Sequence, residues 1–414
     1  MLVRIATLGL RILELVVGLV GVALEKTAHM ALVIRFGGRV HTALGVYGGI
    51  DGSALIVDRI AVAGHPLPPW IERLPRFREV VSGSMALVGP QPIPAEDLRG
   101  MVLERARRAV RPGVVSLHEL RLRAQIAFDP EWMTELEYAV SRTPAGDFGI
   151  LGRWIVSSVL PKAGVGTDTA SVCGVPIDNT TTQRTLEHIN AVLASRGRCR
   201  IAFVNADCVN KARTDTAYLD ALESADLRLP DGIGVRLGAA LLGTPIQENV
   251  NGTDLFPRLC AQLETSQHSL FLLGAEYGVA EQVAEWIREH FPRLRIAGYH
   301  HGYFSAESAD SIANVVRRSR ASVVLTAFGA PRQEIFNARY HDAMGAHVVL
   351  GVGGLFDFYG GRIPRAPGWM RELGMEWAFR LVQEPRRLCR RYVIGNAVFL
   401  ANVCRARMRA WWAK

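Results

Sequence analysis

The chain reads as α/β: a largely parallel sheet with flanking helices fills its carboxyl-terminal half, preceded by a mainly helical, membrane-associated domain. Three observations carry that expectation. Apolar runs of strand length recur at 201–204, 269–273, 294–297, 322–327 and 347–352. Stretches of helical period lie between them, as at 279–291 and 309–320, and such alternation favours parallel strands joined by helical crossovers. Finally, residues 5–24 are almost continuously apolar and would make a helix roughly 30 Å long, enough to embed in a bilayer.

Composition bounds the rest. A chain of 414 residues has room for two or three domains with buried cores, and 49% hydrophobic residues with a mean hydropathy of +0.14 point toward membrane contact. The net charge of +9 is uneven: residues 383–414 carry eight Lys or Arg against Glu384 alone, so this tail holds +7 and the remainder about +2. A basic tail interleaved with apolar residues suits anionic lipid or phosphate, and argues against nucleic acid, which calls for a basic folded face. The six cysteines show no CxxC pairing or metal-ligand spacing, which suits a reducing compartment and argues against a structural zinc site.

In order along the chain, the first helix is interrupted by Arg11 and Glu14, three apart and so able to pair on one face; no small-residue cleavage site follows it. Next come Val81-Ser-Gly-Ser-Met-Ala-Leu-Val-Gly-Pro-Gln-Pro-Ile-Pro94, Arg111-Pro-Gly-Val-Val-Ser-Leu117, Phe128-Asp-Pro-Glu-Trp132 and Leu151-Gly-Arg-Trp-Ile155. These segments resemble the bacterial sugar transferase domain of polyprenyl-phosphate glycosylphosphotransferases over about residues 5–160. In that family an Asp-Glu pair performs phosphoryl transfer; here the matching positions hold Glu72 and Arg73, while Ser84 and Gln91 replace an Asp and an Arg. An arginine cannot replace a carboxylate that binds metal, so this domain is expected to have lost the chemistry and to serve as an anchor or scaffold. No proline lies between Met1 and His65, so whether the first helix spans, re-enters or lies flat stays open.

A small-residue stretch at 161–171 reads as a linker. Beyond it, Leu229-Pro-Asp-Gly-Ile-Gly234 sets Asp231 just past an apolar run, where open parallel sheets hold ligands, although Pro-Asp-Gly is also ordinary turn composition. Strands ending in glycine, at Gly274, Gly329 and Gly353, suit phosphate or ribose approaching backbone amides. There is no GxGxxG, no GxxxxGK[ST] and no Asp-x-Asp pair, which disfavours dinucleotide, P-loop and metal-dependent nucleotide-sugar chemistry. The adjacent His300 and His301 cannot share one strand face, lack a third ligand, and are expected to be loop residues.

From about 172 to 392 the chain closely resembles the WecG/TagA/CpsF glycosyltransferases. The matches are the Asp231 motif, Asn251-Gly-Thr-Asp-Leu255, Gly302-Tyr-Phe304, Phe328-Gly-Ala-Pro-Arg-Gln-Glu334, Gly351-Val-Gly-Gly-Leu-Phe-Asp357, Arg365-Ala-Pro367, Gly374-Met-Glu-Trp377, Arg380-Leu381 and Glu384-Pro-Arg386. The resemblance implies a Rossmann-like sheet and an inverting, metal-independent transfer from a UDP-sugar to a polyprenyl-diphosphate-linked sugar, with no cofactor. It places that reaction at the cytoplasmic face of the bacterial inner membrane, in exopolysaccharide, capsule or cell-wall polymer synthesis. Asp231 corresponds to the catalytic base, which takes the acceptor hydroxyl's proton. Gln333 and Glu334 match positions lining the nucleotide pocket, though a helix's first turn after Pro331 explains them equally well.

Further candidates for substrate contact are Asn205, Asp207, Gly232, Thr253, Asp254, Gly329, Gly353 and Arg365, with helix capping a competing explanation for Thr253 and Asp254. The family often carries an arginine shortly before Gly-x-Asp, where this chain has Asn249. In the tail, Arg380, Arg387 and Arg391 are expected to hold diphosphate. The apolar run 392–403, flanked by arginines, Trp411 and Trp412, is too short to span a bilayer and reads as an interfacial helix contacting membrane lipid. Residual phosphoglycosyl transfer by residues 1–160, a non-catalytic membrane scaffold, and assembly as a homo-oligomer remain open on sequence grounds. The expected division is 1–160, linker 161–171, transferase 172–382 and tail 383–414.

Overall fold

The computed structural model describes residues 2–48, 54–65, 67, 69–92, 109–124, 131–157 and 167–412. They form two compact units, one drawn from within 1–123 and 128–159, the other from within 124–127 and 160–414. Phe128-Asp-Pro130, Ile93-Pro94 and linker positions 161–166 lie outside the described residues.

The amino-terminal unit begins with α1 (Leu2–Phe36), longer than the apolar run alone predicts. One face packs on the unit. Gly18 and Gly21 permit the approach, since a Cβ on Gly21 would meet the Phe77 ring at 2.2 Å. Arg11 and Glu14 pair at 2.9 Å as expected, and the buried Glu14 also receives Arg111 at 3.2 Å. The opposite face exposes Leu8, Ile12, Val16, Leu19, Val20 and Leu24, an apolar stripe at helical spacing. Among the described residues, no helix is long and apolar enough to cross a membrane.

An antiparallel hairpin that the sequence reading did not anticipate follows, β1 (Val40–Gly48) with β2 (Ala54–Val62). Then come α2 (Pro69–Glu72), α3 (Arg76–Ser82), a short parallel pair of β3 (Ala86–Val88) and β4 (Gly113–Val115), and α4 (Leu117–Ala124), α5 (Glu131–Ser141) and α6 (Pro144–Ser157). Val80, Met85, Leu87 and Val114 form part of its core.

The carboxyl-terminal unit opens with a hairpin of β5 (Thr169–Val172) and β6 (Val175–Asp178), so residues 169–171 of the expected linker are strand. Next in sequence are α7 (Thr182–Ala194), β7 (Cys199–Val204), α8 (Ala206–Ala212), α9 (Thr216–Glu223), β8 (Leu227–Pro230) and α10 (Ile233–Leu241). The alternation continues through α11 (Gly252–Ser266), β9 (Ser269–Gly274), α12 (Val279–His290), β10 (Arg295–His300), α13 (Ala309–Ser319), β11 (Val323–Ala327), α14 (Arg332–Met344) and β12 (Val348–Gly351). The described strands β7–β12 make one six-stranded parallel sheet, ordered β10-β9-β11-β12-β7-β8, as the alternation predicts. Its central strands β9, β11 and β12 are buried along their whole length, which is why they read as unbroken apolar runs. Helices cover the sheet through amphipathic faces, as with Val279, Val283 and Ile287 of α12. His300 ends β10 rather than lying in a loop; its ring Nδ1 lies 2.7 Å from the His301 carbonyl oxygen.

Past the sheet run α15 (Leu355–Tyr359), α16 (Gly368–Glu372), α17 (Glu376–Gln383), α18 (Pro385–Cys389), a π-helical turn at Arg390–Ile394, and α19 (Gly395–Trp412). The tail packs into the unit's core as well as exposing an apolar face. Phe399 and Val403 are buried in the core beside Val204, Val235 and Ala239. Gly238 makes room for them: a Cβ there would meet Phe399 at 2.8 Å and Val403 at 3.3 Å. Elsewhere along the tail Val393, Ile394, Val398, Leu400, Met408, Trp411 and Trp412 are exposed.

Candidate active site

The carboxyl ends of the adjacent strands β7 and β8 carry Asn205 and Asp231. The Asn205 side chain caps α8, its Oδ1 accepting from the Asp207 and Cys208 backbone amides at 3.1 Å each. That leaves its amino group for Asp231, with which it hydrogen bonds. Asp231 itself is tethered by its backbone N–H to the Val204 carbonyl at 2.9 Å, and Gly232 follows at φ +89° before starting α10. A cavity of about 680 Å³ opens on this edge of the sheet. Asp231 reaches solvent through it while being closely packed by protein; burial pushes its carboxyl above the ordinary aspartate range, opposed by Asn205, Arg391 and Arg380.

Seven of the sequence candidates line this cavity: Asn205, Asp207, Asp231, Gly232, Thr253, Arg380 and Arg391. The tail arginines are fixed. Arg391 Nε lies 3.2 Å from Asp207 Oδ2, which Lys211 also contacts at 2.8 Å, and Arg380 lies over the Phe358 ring at 4.9 Å and within 3.7 Å of Glu384. Asn210 of α8 donates to the Gly395 carbonyl at 2.7 Å, so α8 grips the tail at the π-helical turn.

The other candidates stand off the cavity wall. Asp254 is committed to an ion pair with Arg365 and lies 3.6 Å from Arg371, its backbone amide capped by Asn251 at 2.8 Å. Arg365 reaches both Asp254 and Glu376, which uses its charge internally. Arg387 points to Glu384 at 2.7 Å and is largely exposed. Gln333 is buried and acts as a brace: its Oε1 accepts from Gly329 at 3.1 Å and Gly353 at 3.0 Å, joining the loops after β11 and β12. Gly329 and Gly353 thus spend their amides on Gln333, not on the cavity. Glu334, also buried, accepts from Gln333 at 2.7 Å, and burial pushes its carboxyl up to about 7.

Sequence reasoning assigned no role to several cavity residues. Asn249 accepts the Gly232 N–H at 2.5 Å. Arg371 adds a cation, and Glu376 a carboxyl raised by burial, drawn down by Arg365 and raised by Asp254 and Asp231. Trp377, Leu381, Tyr392, Val393 and Leu400 supply an apolar portion. Of these, the sequence marked Glu376 and Trp377 through the Gly374 motif, Leu381 through Arg380-Leu381, Asn249 as the place of an absent arginine, and Tyr392, Val393 and Leu400 within the tail's apolar run; Arg371 carried no signal. No cluster of three His, Cys, Asp or Glu that could hold a metal occurs among the described residues.

The cavity, its carboxylate and the parallel sheet occur in the region where the sequence model of the glycosyl transferase WecG/TagA/CpsF family matches, residues 170–412. The chain belongs to this family. A bacterial sugar transferase model matches residues 59–160. Among curated relatives, the chain is 35% identical over 187 residues to an N-acetylglucosaminyldiphosphoundecaprenol N-acetyl-beta-D-mannosaminyltransferase of Bacillus subtilis (strain 168), covering 45% of this chain and 72% of the relative. A Staphylococcus aureus (strain MW2) protein of the same name is 27% identical over 245 residues, 59% of this chain and 95% of its own length. These similarities mark the carboxyl-terminal unit as a glycosyltransferase.

Proposed function

We propose that this glycosyltransferase moves a sugar from a UDP-sugar to a saccharide carried on polyprenyl diphosphate, with inversion and without a metal ion. The observation that carries the reading is the cavity itself, where one poised carboxylate, Asp231, shares the wall with Arg371, Arg380 and Arg391. In a single displacement, Asp231 takes the proton from the acceptor hydroxyl as that oxygen attacks the anomeric carbon. The bond from that carbon to the diphosphate breaks, its electron pair leaving with UDP. Arginine side chains fixed before substrate arrives offset the charge that grows on the leaving oxygen, at little reorganisation cost. The curated relatives are named for an acceptor of the same chemistry, a sugar on undecaprenyl diphosphate, and for transfer of an N-acetylmannosaminyl group, which supports the acceptor class and a hexosamine donor.

Membrane association at the cytoplasmic face of the inner membrane fits the acceptor and two surfaces. One is the apolar stripe of α1; the other is the exposed Val393, Ile394, Val398, Met408, Trp411 and Trp412 beside seven arginines of the tail. The amino-terminal unit is read as an anchor without phosphoglycosyl transfer, because Arg73, standing where the resembled family carries a carboxylate, is bound to Glu119 at 2.6 Å. The test is UDP release by the full-length protein in EDTA, with a panel of UDP-sugars and a polyprenyl-diphosphate monosaccharide. Acceptor-dependent UDP is expected; release that needs a divalent cation, or none from any donor, refutes the reading.

A further inference from the structure

We propose that Asn249 is a positioning residue for the transfer: its amide oxygen locks the turn that carries Asp231, and its amino group is left to meet substrate. This rests on the assignment of Asp231 as the base.

The turn is anchored on one side only by its own strand. Upstream, the Asp231 N–H is held by Val204, continuing the β7–β8 ladder. Downstream lies Gly232, in the left-handed half of backbone space, where a residue without Cβ has the widest freedom to move. A Cβ on Gly232 would meet nothing within 4 Å, so nothing packs against that side of the residue. The Gly232 N–H is held by a hydrogen bond to Asn249 Oδ1 at 2.5 Å. Asn249 is itself held, its carbonyl accepting from the Asn251 N–H at 3.1 Å just before α11. Asn249, 17 positions from Gly232 in sequence and two before the α11 cap Asn251, therefore sets the backbone next to the base.

The chemistry fixes which end of the amide does this. A backbone N–H can be accepted by the amide oxygen and not by its NH2, so the amino group lies on the other branch of the side chain, at a residue that lines the cavity. Asn205 repeats the arrangement from the opposite side: its oxygen is spent on two backbone amides and its amino group serves Asp231. Two neutral amides thus hold the turn without adding charge, Asn205 at the Asp231 carboxylate and Asn249 at the next backbone N–H. A misplacement of about 1 Å at such a base costs on the order of a hundredfold in rate.

The experiment uses the full chain with Asn249→Ala, Asn249→Asp and Asp231→Asn. Hydrogen exchange of the segment 229–235 reports the lock without requiring turnover, and UDP binding reports the pocket. Asn249→Ala is expected to speed exchange in that segment at least about tenfold, lower kcat by roughly 10–100-fold and leave the UDP dissociation constant within about threefold. Asn249→Asp keeps an oxygen for the Gly232 N–H, so protection returns. It also brings a second carboxylate toward Asp231, so its kcat deficit is large at low pH and narrows as pH rises, whereas the Ala deficit is the same at every pH. Unchanged exchange in Asn249→Ala, or parallel pH profiles for the two variants, overturns the proposal. If Asp231→Asn is inactive while Asn249→Ala is normal, only the role of Asn249 falls; if Asp231→Asn turns over normally, the base assignment falls with it.

Discussion

The two units of this chain carry comparable motif strings, yet the motifs do different work. In the amino-terminal unit, the glycines of the Val-Gly-Pro and Arg-Pro-Gly segments explain themselves as packing. A Cβ on Gly89 would meet the Arg111 carbonyl at 2.2 Å, and one on Gly113 the Gly89 nitrogen at 2.1 Å, because β3 and β4 approach too closely for side chains. Gly83 ends α3 at φ +94°. At the positions of the chemistry, Arg73 is neutralised by Glu119, and Glu72 is 3.9 Å from Arg59. In the carboxyl-terminal unit the same kind of motif places Asp231, Arg380 and Arg391 around a cavity. Glycines that are also folding instructions do not by themselves report chemistry, so the environment of the charged residues is what distinguishes the two units.

The sharpest way to break the comparison is Asp231→Asn. Turnover is expected to fall by at least about 10³-fold with UDP binding retained, since an amide can hydrogen bond but cannot take a proton. Turnover near wild type in steady-state assays of UDP release would remove the distinction between the units. The next largest effect belongs to the other unit: Gly113→Ala forces a methyl into backbone and is expected to destabilise that unit by about 3 kcal/mol. Denaturant melts followed by near-ultraviolet dichroism would read this, and an unchanged midpoint would contradict the packing explanation of the motif.

The sheet was legible because its buried strands are apolar runs and its helices keep their period; β9, β11 and β12 fall within a residue or two of the expected positions. The β1–β2 hairpin was not, since neither nine-residue run alternates cleanly enough to separate it from the apolar helix before it. Within the site, Asp231, Arg380 and Arg391 were legible as charges in motifs near strand ends and the tail. Asp254 and Arg365 look equally available in sequence, but pair with each other across 111 positions, which only the fold reveals. The tail's apolar run was measured by its length. Its division, with Phe399 and Val403 in the core, Leu400 at the cavity and Val398 and Met408 exposed, depends on the glycine face of α10 that receives it.

Glu334 sharpens the distinction between bracing and catalysis. Its carboxyl is raised from 4.5 to about 7 by burial, so the native state holds a proton that the unfolded chain releases between those values. Stability contributed by the protonated form is full below pH 4.5, declines as pH rises to 7 and stays lost above it. Glu334→Gln keeps a neutral side chain and escapes that loss, so it should exceed wild type in stability above pH 7 by on the order of 3 kcal/mol at most. Urea unfolding at pH 5 and pH 8 tests this; an equal difference at both values rules it out. A smaller effect is expected at the tail. Removing the cation of Arg391 leaves the Asp231 carboxyl still higher than burial already sets it. Because the base works ionised, Arg391→Gln should move the acid limb of the kcat profile to higher pH, about tenfold in rate per unit on that limb.

The smallest expected effect is the most informative about the amino-terminal unit. Glu72→Gln should leave UDP release by the full-length protein within about twofold, because a half-exposed carboxylate facing Arg59 at 3.9 Å has little to contribute. The same variant bears on phosphoglycosyl transfer, which would release UMP from a UDP-sugar when magnesium and polyprenyl phosphate are supplied. If wild type releases no UMP, the unit's motif glycines persist for packing alone and the contrast between the units stands. If it releases UMP, and Glu72→Gln abolishes that release while sparing UDP release, the lone carboxylate works without an acidic partner. In that case the Arg73–Glu119 pair, rather than marking lost chemistry, would be the charge arrangement that allows it.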